Sequence, residues 1–219
     1  MVAANANLLT FALCIVGFAC FGLAIFCIQL YRANRKMQVQ LVKADKDHHD
    51  ARHDDLTGLL NRRGWNEVLD RALKSQESTY GQDSFPEKPL SLAIFDLDQF
   101  KQINDQFGHG IGDQILAQFA NRLRNAFTSQ TGECVARLGG EEFAVLSSIA
   151  PEALGQKVEG FIQGLAIEPV AIANIDIIIR CSVGITPYGK GEKPESWMDR
   201  ADRALYESKR KGGNQFSCI

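Results

Sequence analysis

Apolar residues recur along this chain at two periods, and the switches between them mark its elements. Trp65, Val68, Leu69, Ala72 and Leu73 lie on one helical face, and Asn61 is placed to cap that helix. Ser75 to Pro89 is polar and contains Gly and Pro, which predicts a loop. Leu90 to Phe95 is continuously apolar and short, so it predicts a buried strand rather than a helix. Phe100, Ile103 and Phe107 predict a short helix that breaks at Gly108 and Gly110. Ile115, Leu116, Phe119, Ala120, Leu123 and Phe127 predict a long helix with Asp113 as its N-cap. Two extended runs, Cys134 to Leu138 and Phe143 to Ser147, flank Gly139 and Gly140 as in a hairpin. Leu154, Val158, Phe161, Ile162 and Leu165 return to the helical period. Ile177, Ile179, Cys181, Val183 and Ile185 alternate as one half-buried strand. Trp197, Ala201, Ala204 and Leu205 give a last helix before a short closing strand. The order predicts an α+β domain with a mainly antiparallel sheet flanked by helices.

The N-terminal pattern is of another kind. Leu8 to Leu30 contains no charged residue, and the first charge in the chain is Arg32. At about 1.5 Å per residue such a run crosses a hydrocarbon core of roughly 30 Å. We expect residues 1–31 to be a transmembrane anchor. A cleaved signal peptide fits less well, because the run is long, its start is not basic and no small-x-small site follows. Arg32, Arg35 and Lys36 follow the run and nothing basic precedes it, which places the C-terminal part in the cytoplasm. About seven residues precede the run, too few for an extracytoplasmic sensor domain. Residues 32–53 read as a helical linker. Met37, Leu41, Ala44, His48 and Ala51 trace a short heptad seam, either a coiled coil that pairs two chains or a solvated stalk. His48, His49 and His53 lie among acids there, and a hydrated stalk accounts for them without a metal. Residues 54–219 form the domain proper.

Composition narrows the function. The 219 residues suffice for one domain and an anchor, with 45% hydrophobic and 23% charged residues. A formal net charge of −2 gives no basic surface for nucleic acid. Of the six cysteines, Cys14, Cys20 and Cys27 fall in the apolar run, Cys134 and Cys181 in extended runs, and Cys218 near the end. That spacing makes neither a zinc site nor a disulfide framework.

The candidate chemistry is acidic. Gly139-Gly140-Glu141-Glu142-Phe143 puts two carboxylates beside a tight turn, and Asp96-Leu97-Asp98 ends the buried strand. Clustered carboxylates are costly unless a cation neutralises them, and Mg²⁺ takes oxygen ligands while leaving room for phosphates. The other reading of the glycine turn alone is a solvated acidic hairpin. Lys101 stands close enough in sequence to meet a phosphate as a point charge.

These segments carry a family resemblance. Phe95 to Asp105, Gly108-His109 and Gly112-Asp113 combine with the Gly139 to Phe143 turn. Further matching pieces are Asp55-Leu56-Thr57-Gly58-Leu59, Asn61-Arg62-Arg63, Ser182-Val183-Gly184, Ala201-Asp202, Ala204-Leu205-Tyr206 and Lys209. From about Asp54 onward the chain resembles the GGDEF family of diguanylate cyclases in its GGEEF variant. The resemblance implies a palm-like, ferredoxin-related sheet. It implies condensation of two GTP molecules to cyclic di-GMP and pyrophosphate by a homodimer with one GTP per subunit. It implies catalytic roles for Asp96, Glu141 and Glu142, and a Mg²⁺ (or Mn²⁺) site made by Asp96, the Leu97 carbonyl and Glu141. Asn104 and Asp113 match the guanine-reading pair, and Lys101 and Lys209 match phosphate contacts. The membrane is then the inner, cytoplasmic membrane of a bacterium, crossed once. Two departures stand out. Gly213 occupies a position where the family often has a phosphate-binding Arg, so either that contact is missing or Arg210 or Lys211 replaces it. Gln130 and Glu133 replace the Arg-x-x-Asp product-inhibition motif, and an ordinary solvated turn is expected there. The rival reading is a catalytically degenerate domain that binds GTP or a protein partner.

Overall fold

The computed structural model describes residues 29–32, 34–38, 51–79, 89–128, 133–172 and 175–219. The chain divides into two compact units, Met1–His49 and Asp50–Ile219. In the first, residues 29–32 and 34–38 are helical and exposed. The rest of the expected span, and Leu41, Ala44 and His48 of the heptad seam, lie outside the described residues. Among the described residues no helix is long and apolar enough to cross a membrane. Ala51, the last seam position, lies in a turn, and His53 bridges Leu60, so these two residues are not helical.

The second unit is built on a five-stranded sheet. Its elements in chain order are α1 (Arg62–Thr79), β1 (Ser91–Leu97), α2 (Phe100–Phe107), α3 (His109–Phe127), β2 (Cys134–Gly139) and β3 (Glu142–Ser147). There follow α4 (Pro151–Ile167), β4 (Val170–Ile172), β5 (Ile175–Ile177), β6 (Cys181–Pro187), α5 (Pro194–Arg210) and β7 (Phe216–Cys218). Strand order is β2-β3-β1-β6-β7, with β6–β7 parallel and the other pairs antiparallel. This is the mainly antiparallel α+β sheet expected.

Strand alternation sorts the core into two layers. Ala93, Phe95 and Leu97 of β1 pack with Phe143, Val145 and Val183 against α3 and α4. Phe95, Phe119, Phe127, Phe143 and Phe161 make edge-on or tilted ring contacts in that layer, with centroids 4.9–5.9 Å apart. Leu92 and Ile94 point the other way and join Ala144, Leu146, Trp65, Leu69, Trp197 and Leu205 under α1 and α5. By the same parity Asp96 belongs to the α1–α5 side.

Three local expectations need correction. The first helix runs through Thr79, past the predicted loop start at Ser75, because no Gly or Pro interrupts the chain before Gly81. Asn61 does cap it, accepting the Gly64 N–H at 3.0 Å. The long helix begins at His109, so Asp113 is inside it rather than at its cap. Gly108 makes the break instead, with φ +83°, a left-handed value that suits glycine. The alternating run from Ile177 to Ile185 is two strands. β5 pairs with β4 in a separate ribbon, and the chain joins the main sheet only at Cys181. The alternation persists because Ile177, Ile179 and Cys181 all bury in the same core.

Helix α5 lies directly on β6. A β-carbon on Gly184 would collide with the backbone of Ala201 and Leu205. Ser208, fully buried, donates its hydroxyl to the Val183 carbonyl at 2.7 Å. This close seat fixes where the C-terminal end of α5 emerges. Gly184→Ala is expected to destabilise the domain by about 2 kcal/mol or more, since backbone offers no room for an extra carbon. Urea unfolding of the full chain checks this, and an unchanged midpoint would contradict it.

Candidate active site

The tip of the β2–β3 hairpin is shaped by backbone that few residues adopt. Gly140 has φ +51°, and the ladder slips between Arg137 and Gly139. Arg137 secures the slip. Its Nε and Nη2 donate to the Gly140 carbonyl at 3.0 and 2.8 Å. Its Nη1 donates to both Asp54 oxygens at 3.0 and 3.1 Å. Asp54 also accepts the Thr57 N–H at 2.9 Å and the Thr57 hydroxyl at 2.7 Å. Burial works to raise the Asp54 carboxyl, but the hydrogen bonds from Thr57 and Arg137 outweigh it and hold the group below the usual carboxylate range.

Across the sheet, β1 carries Asp96 opposite Glu142 on one side and Ser182 on the other. Asp96, Leu97, Lys101, Glu141 and Lys209 line one cleft of about 380 Å³, closed at its C-terminal end by Gly212 and Gly213. The Lys209 ammonium lies 2.8 Å from Asp96 Oδ1. Asp96 is buried and acidic, and the ammonium meets the need for a counter-charge there. Among the described residues no three acidic, His or Cys side chains form a ready metal cluster. The donors that fit a hard cation here are two carboxylates and a main-chain carbonyl, from Asp96, Glu141 and Leu97.

The other expected residues lie nearby but not in this cleft. Glu142 is exposed and faces α1, with its carboxylate 3.9 Å from Arg62. Arg62 in turn donates to the Leu138 carbonyl at 3.1 Å. Asn104 sits on α2 and packs its amide against Gly112 of α3, where any side chain would collide with it. Its Oδ1 is buried without a partner. Asp113, exposed on α3, is the next residue. The α2–α3 corner thus presents an amide and a carboxylate together.

Glu133 departs from expectation. Rather than sitting in a solvated turn, its side chain is 1% exposed. Both its oxygens accept from Lys157 at 2.9 Å, and Ser147 donates to one of them at 3.1 Å. Lys157 also lies 5.0 Å from the Phe127 ring centre. The sequence hid this because the partner is 24 residues away on α4. Gln130 lies outside the described residues.

Arg137 and Asp54 were not singled out by the sequence pattern. The available signal was an arginine inside a half-buried strand run, where an unpaired charge is costly. Gly213 also gains an explanation. Its φ is +74°, and a β-carbon there would lie 3.0 Å from an Asp98 oxygen. The turn as built excludes the arginine that the resemblance leads one to look for.

Residues 51–215 match the family described as diguanylate cyclase, GGDEF domain, and the chain belongs to that family. It is 38% identical over 164 residues to the diguanylate cyclase DgcP of Pseudomonas aeruginosa, covering 74% of this chain and 23% of that protein. It is 35% identical over 190 residues to the response regulator PleD of Caulobacter vibrioides, covering 82% of this chain and 39% of that protein. The chain spans well under half the length of these curated relatives. The coiled coil and GGDEF domain of DgcB from Caulobacter crescentus, solved in complex with c-di-GMP, is similar with a TM-score of 0.78. That likeness is at 28% identity, over 87% of this chain and 97% of that one. The palm-like α+β fold is shared with these neighbours.

The Asp54 environment sets a pH dependence. Its folded pKa lies below its unfolded value, so its stabilisation is complete above about pH 4 and is lost as pH falls through the folded value. Asp54→Asn is expected to cost about 3 kcal/mol at pH 7, because it leaves Arg137 half-paired, and much less at pH 3. Urea unfolding at both pH values checks this, and a penalty that does not change with pH would contradict it.

Proposed function

We propose that this chain is a diguanylate cyclase that condenses two GTP molecules to cyclic di-GMP and pyrophosphate. The observation that carries the reading is the cleft where Asp96, Glu141 and Lys209 come together, within a chain of this family. Asp96, Glu141 and the Leu97 carbonyl would hold Mg²⁺ or Mn²⁺. Such an ion supplies charge neutralisation for the triphosphate and acidifies the attacking 3′-hydroxyl. Lys209 meets the charge of Asp96 and would contact a phosphate of bound GTP where Asp96 serves as a cation ligand. Lys101 adds a second positive charge at the cleft wall. With Gly213 bearing no side chain, phosphate recognition rests on these two lysines.

At the α2–α3 corner, Asp113 would accept from guanine N1–H and N2–H, and Asn104 would complete the base contact. An ionised carboxylate only accepts, so adenine, with an acceptor at N1, is disfavoured. Glu142 keeps its place through Arg62 at the edge of the hairpin. One cleft holds one GTP, and each 3′-hydroxyl must reach the other nucleotide's α-phosphate. The working unit is therefore a homodimer with the two clefts facing each other. We place residues 1–31 in the inner membrane as a single span, with 32–53 as a helical linker and residues 54–219 in the cytoplasm. The anchor confines chains to a surface and raises their encounter frequency.

Incubation of the full chain with GTP and Mg²⁺ is expected to yield cyclic di-GMP, resolved by chromatography. Asp96→Ala and Glu141→Ala should each lower the rate at least about a thousandfold, since cation charge stabilisation is worth several kcal/mol. GTP binding by a folded wild-type dimer with no product formed would instead establish the degenerate reading.

Feedback is expected to be weak. Gln130 has no charge, and the Glu133 carboxylate is occupied by Lys157. Without an arginine fork at position 130, phosphodiester binding loses its bidentate partner. Titration of cyclic di-GMP into the assay checks this, and potent inhibition that Gln130→Ala abolishes would contradict it.

A further inference from the structure

We infer that Asp98 is a positioning residue, whose carboxylate ties down the turn behind Lys209 instead of holding a cation. The inference rests on the cyclase reading for its functional part. It rests on geometry alone for its structural part. Asp98 follows β1 directly, and its N–H donates to the Arg180 carbonyl at 2.9 Å. Its Oδ1 accepts the Ser182 hydroxyl at 2.7 Å, and its Oδ2 accepts the Asn214 N–H at 2.7 Å. Ser182 is fully buried. Both carboxylate oxygens are therefore engaged, one by the sheet and one by the turn.

That turn is unusual backbone. Gly212, Gly213 and Asn214 have φ of +111°, +74° and +50° in succession. Glycine adopts such angles freely and asparagine more readily than other side chains, so the sequence permits this turn and outside contacts fix it in place. The Gly212 and Gly213 N–H groups return to the carbonyls of Lys209 and Ser208, each at 3.1 Å. Only the Asn214 N–H leaves the turn for another element, and Asp98 takes it. Gly213 is the residue that lets the turn come so close, since its missing β-carbon would sit 3.0 Å from Asp98 Oδ2. The loss of an arginine at position 213 and the engagement of Asp98 are thus two sides of one arrangement.

The consequence concerns Lys209. Lys209 is held twice, by its ammonium on Asp96 and by the turn that follows it on Asp98. Asp98 lies just past β1, and its bonds to Ser182 and to the turn after α5 put it on the same side of the sheet as Asp96. Were Asp96 to serve as a cation ligand, it would no longer hold the Lys209 ammonium. The Asp98 contact then keeps the end of α5 at the cleft, with Lys209 free to meet a phosphate. A charge-assisted hydrogen bond suits this role better than a neutral one.

The test uses the full chain with Asp98→Ala, Asp98→Asn and Ser182→Ala. Asp98→Ala should speed hydrogen exchange at the Asn214 amide by about tenfold or more, since a hydrogen bond to a charged group is lost. It should also raise KM for GTP by about tenfold while the affinity for Mn²⁺ stays within about twofold. Asp98→Asn keeps an oxygen for Asn214 and offers its amide to the Ser182 hydroxyl, so both readouts should stay within about threefold of wild type. Ser182→Ala should shift exchange in the same direction as Asp98→Ala, by less. The inference is overturned if Asp98→Ala leaves Asn214 exchange unchanged. It is also overturned if Asp98→Ala and Asp98→Asn each weaken Mn²⁺ binding by about tenfold or more, which is the mark of a ligand. Should Asp98→Ala not fold, the other two variants carry the same comparison. Exchange at Asn214 needs no turnover, so an inactive wild type would refute the cyclase reading while the Asp98 contact is still decided.

Discussion

One guanidinium, satisfied on two sides, holds the acidic hairpin where it is. Arg137 reaches forward to the Gly140 carbonyl at the hairpin tip and back to Asp54 at the entrance to the domain. Without these partners the Arg137 guanidinium would be left unpaired in a largely buried place, while the exposed Gly140 carbonyl is positioned by it. With the tip fixed, Glu141 is presented at the sheet edge next to Asp96. The Asp54 end of the contact adds to the Leu60 and Arg62 bonds that tie residues just after the linker to the hairpin. Preorganisation of this kind is what charge stabilisation in a site requires, because mobile donors and ligands lose their advantage to reorganisation.

Strand parity then distributes the remaining chemistry. Apolar residues on β1 alternate between two packed layers, and Asp96 falls on the layer that α1 and α5 cover. Each of those helices sends one cation toward the sheet edge. Lys209 meets Asp96, and Arg62 stands near Glu142. The seat of α5 on Gly184, and the buried Ser208 hydroxyl on Val183, set the height at which Lys209 emerges. The α2–α3 corner, proposed above to read the base, is placed by a different device. Gly112 leaves a notch on α3 into which the Asn104 amide fits, and Asp113 follows in register.

Much of this was legible in the order of residues. The helical faces of α1, α3, α4 and α5, the β1 run and the paired glycines of the hairpin all follow from local period and turn chemistry. What local pattern hid was pairing over distance. Arg137 with Asp54, Glu133 with Lys157, and Asp98 with Asn214 are separated by 83, 24 and 116 residues. Each is a polar side chain whose partner only the fold supplies. One helix start differs for a related reason. Asp113 has the chemistry of a cap, but Gly108 supplies the backbone break five residues earlier. The alternation from Ile177 to Ile185 concealed a change of sheet, because burial in a common core preserves the period while hydrogen bonding does not.

The central claim is that Asp96 and Glu141 share one divalent cation that takes the place of the Lys209 ammonium. Titration of Mn²⁺ into the full chain, followed by electron paramagnetic resonance with a GTP analogue that cannot react, measures this directly. The account predicts a tight site in the wild type that both Asp96→Asn and Glu141→Gln weaken by about a hundredfold, and that Lys209→Met leaves intact or strengthens. Mn²⁺ binding that is indifferent to either carboxylate would contradict it.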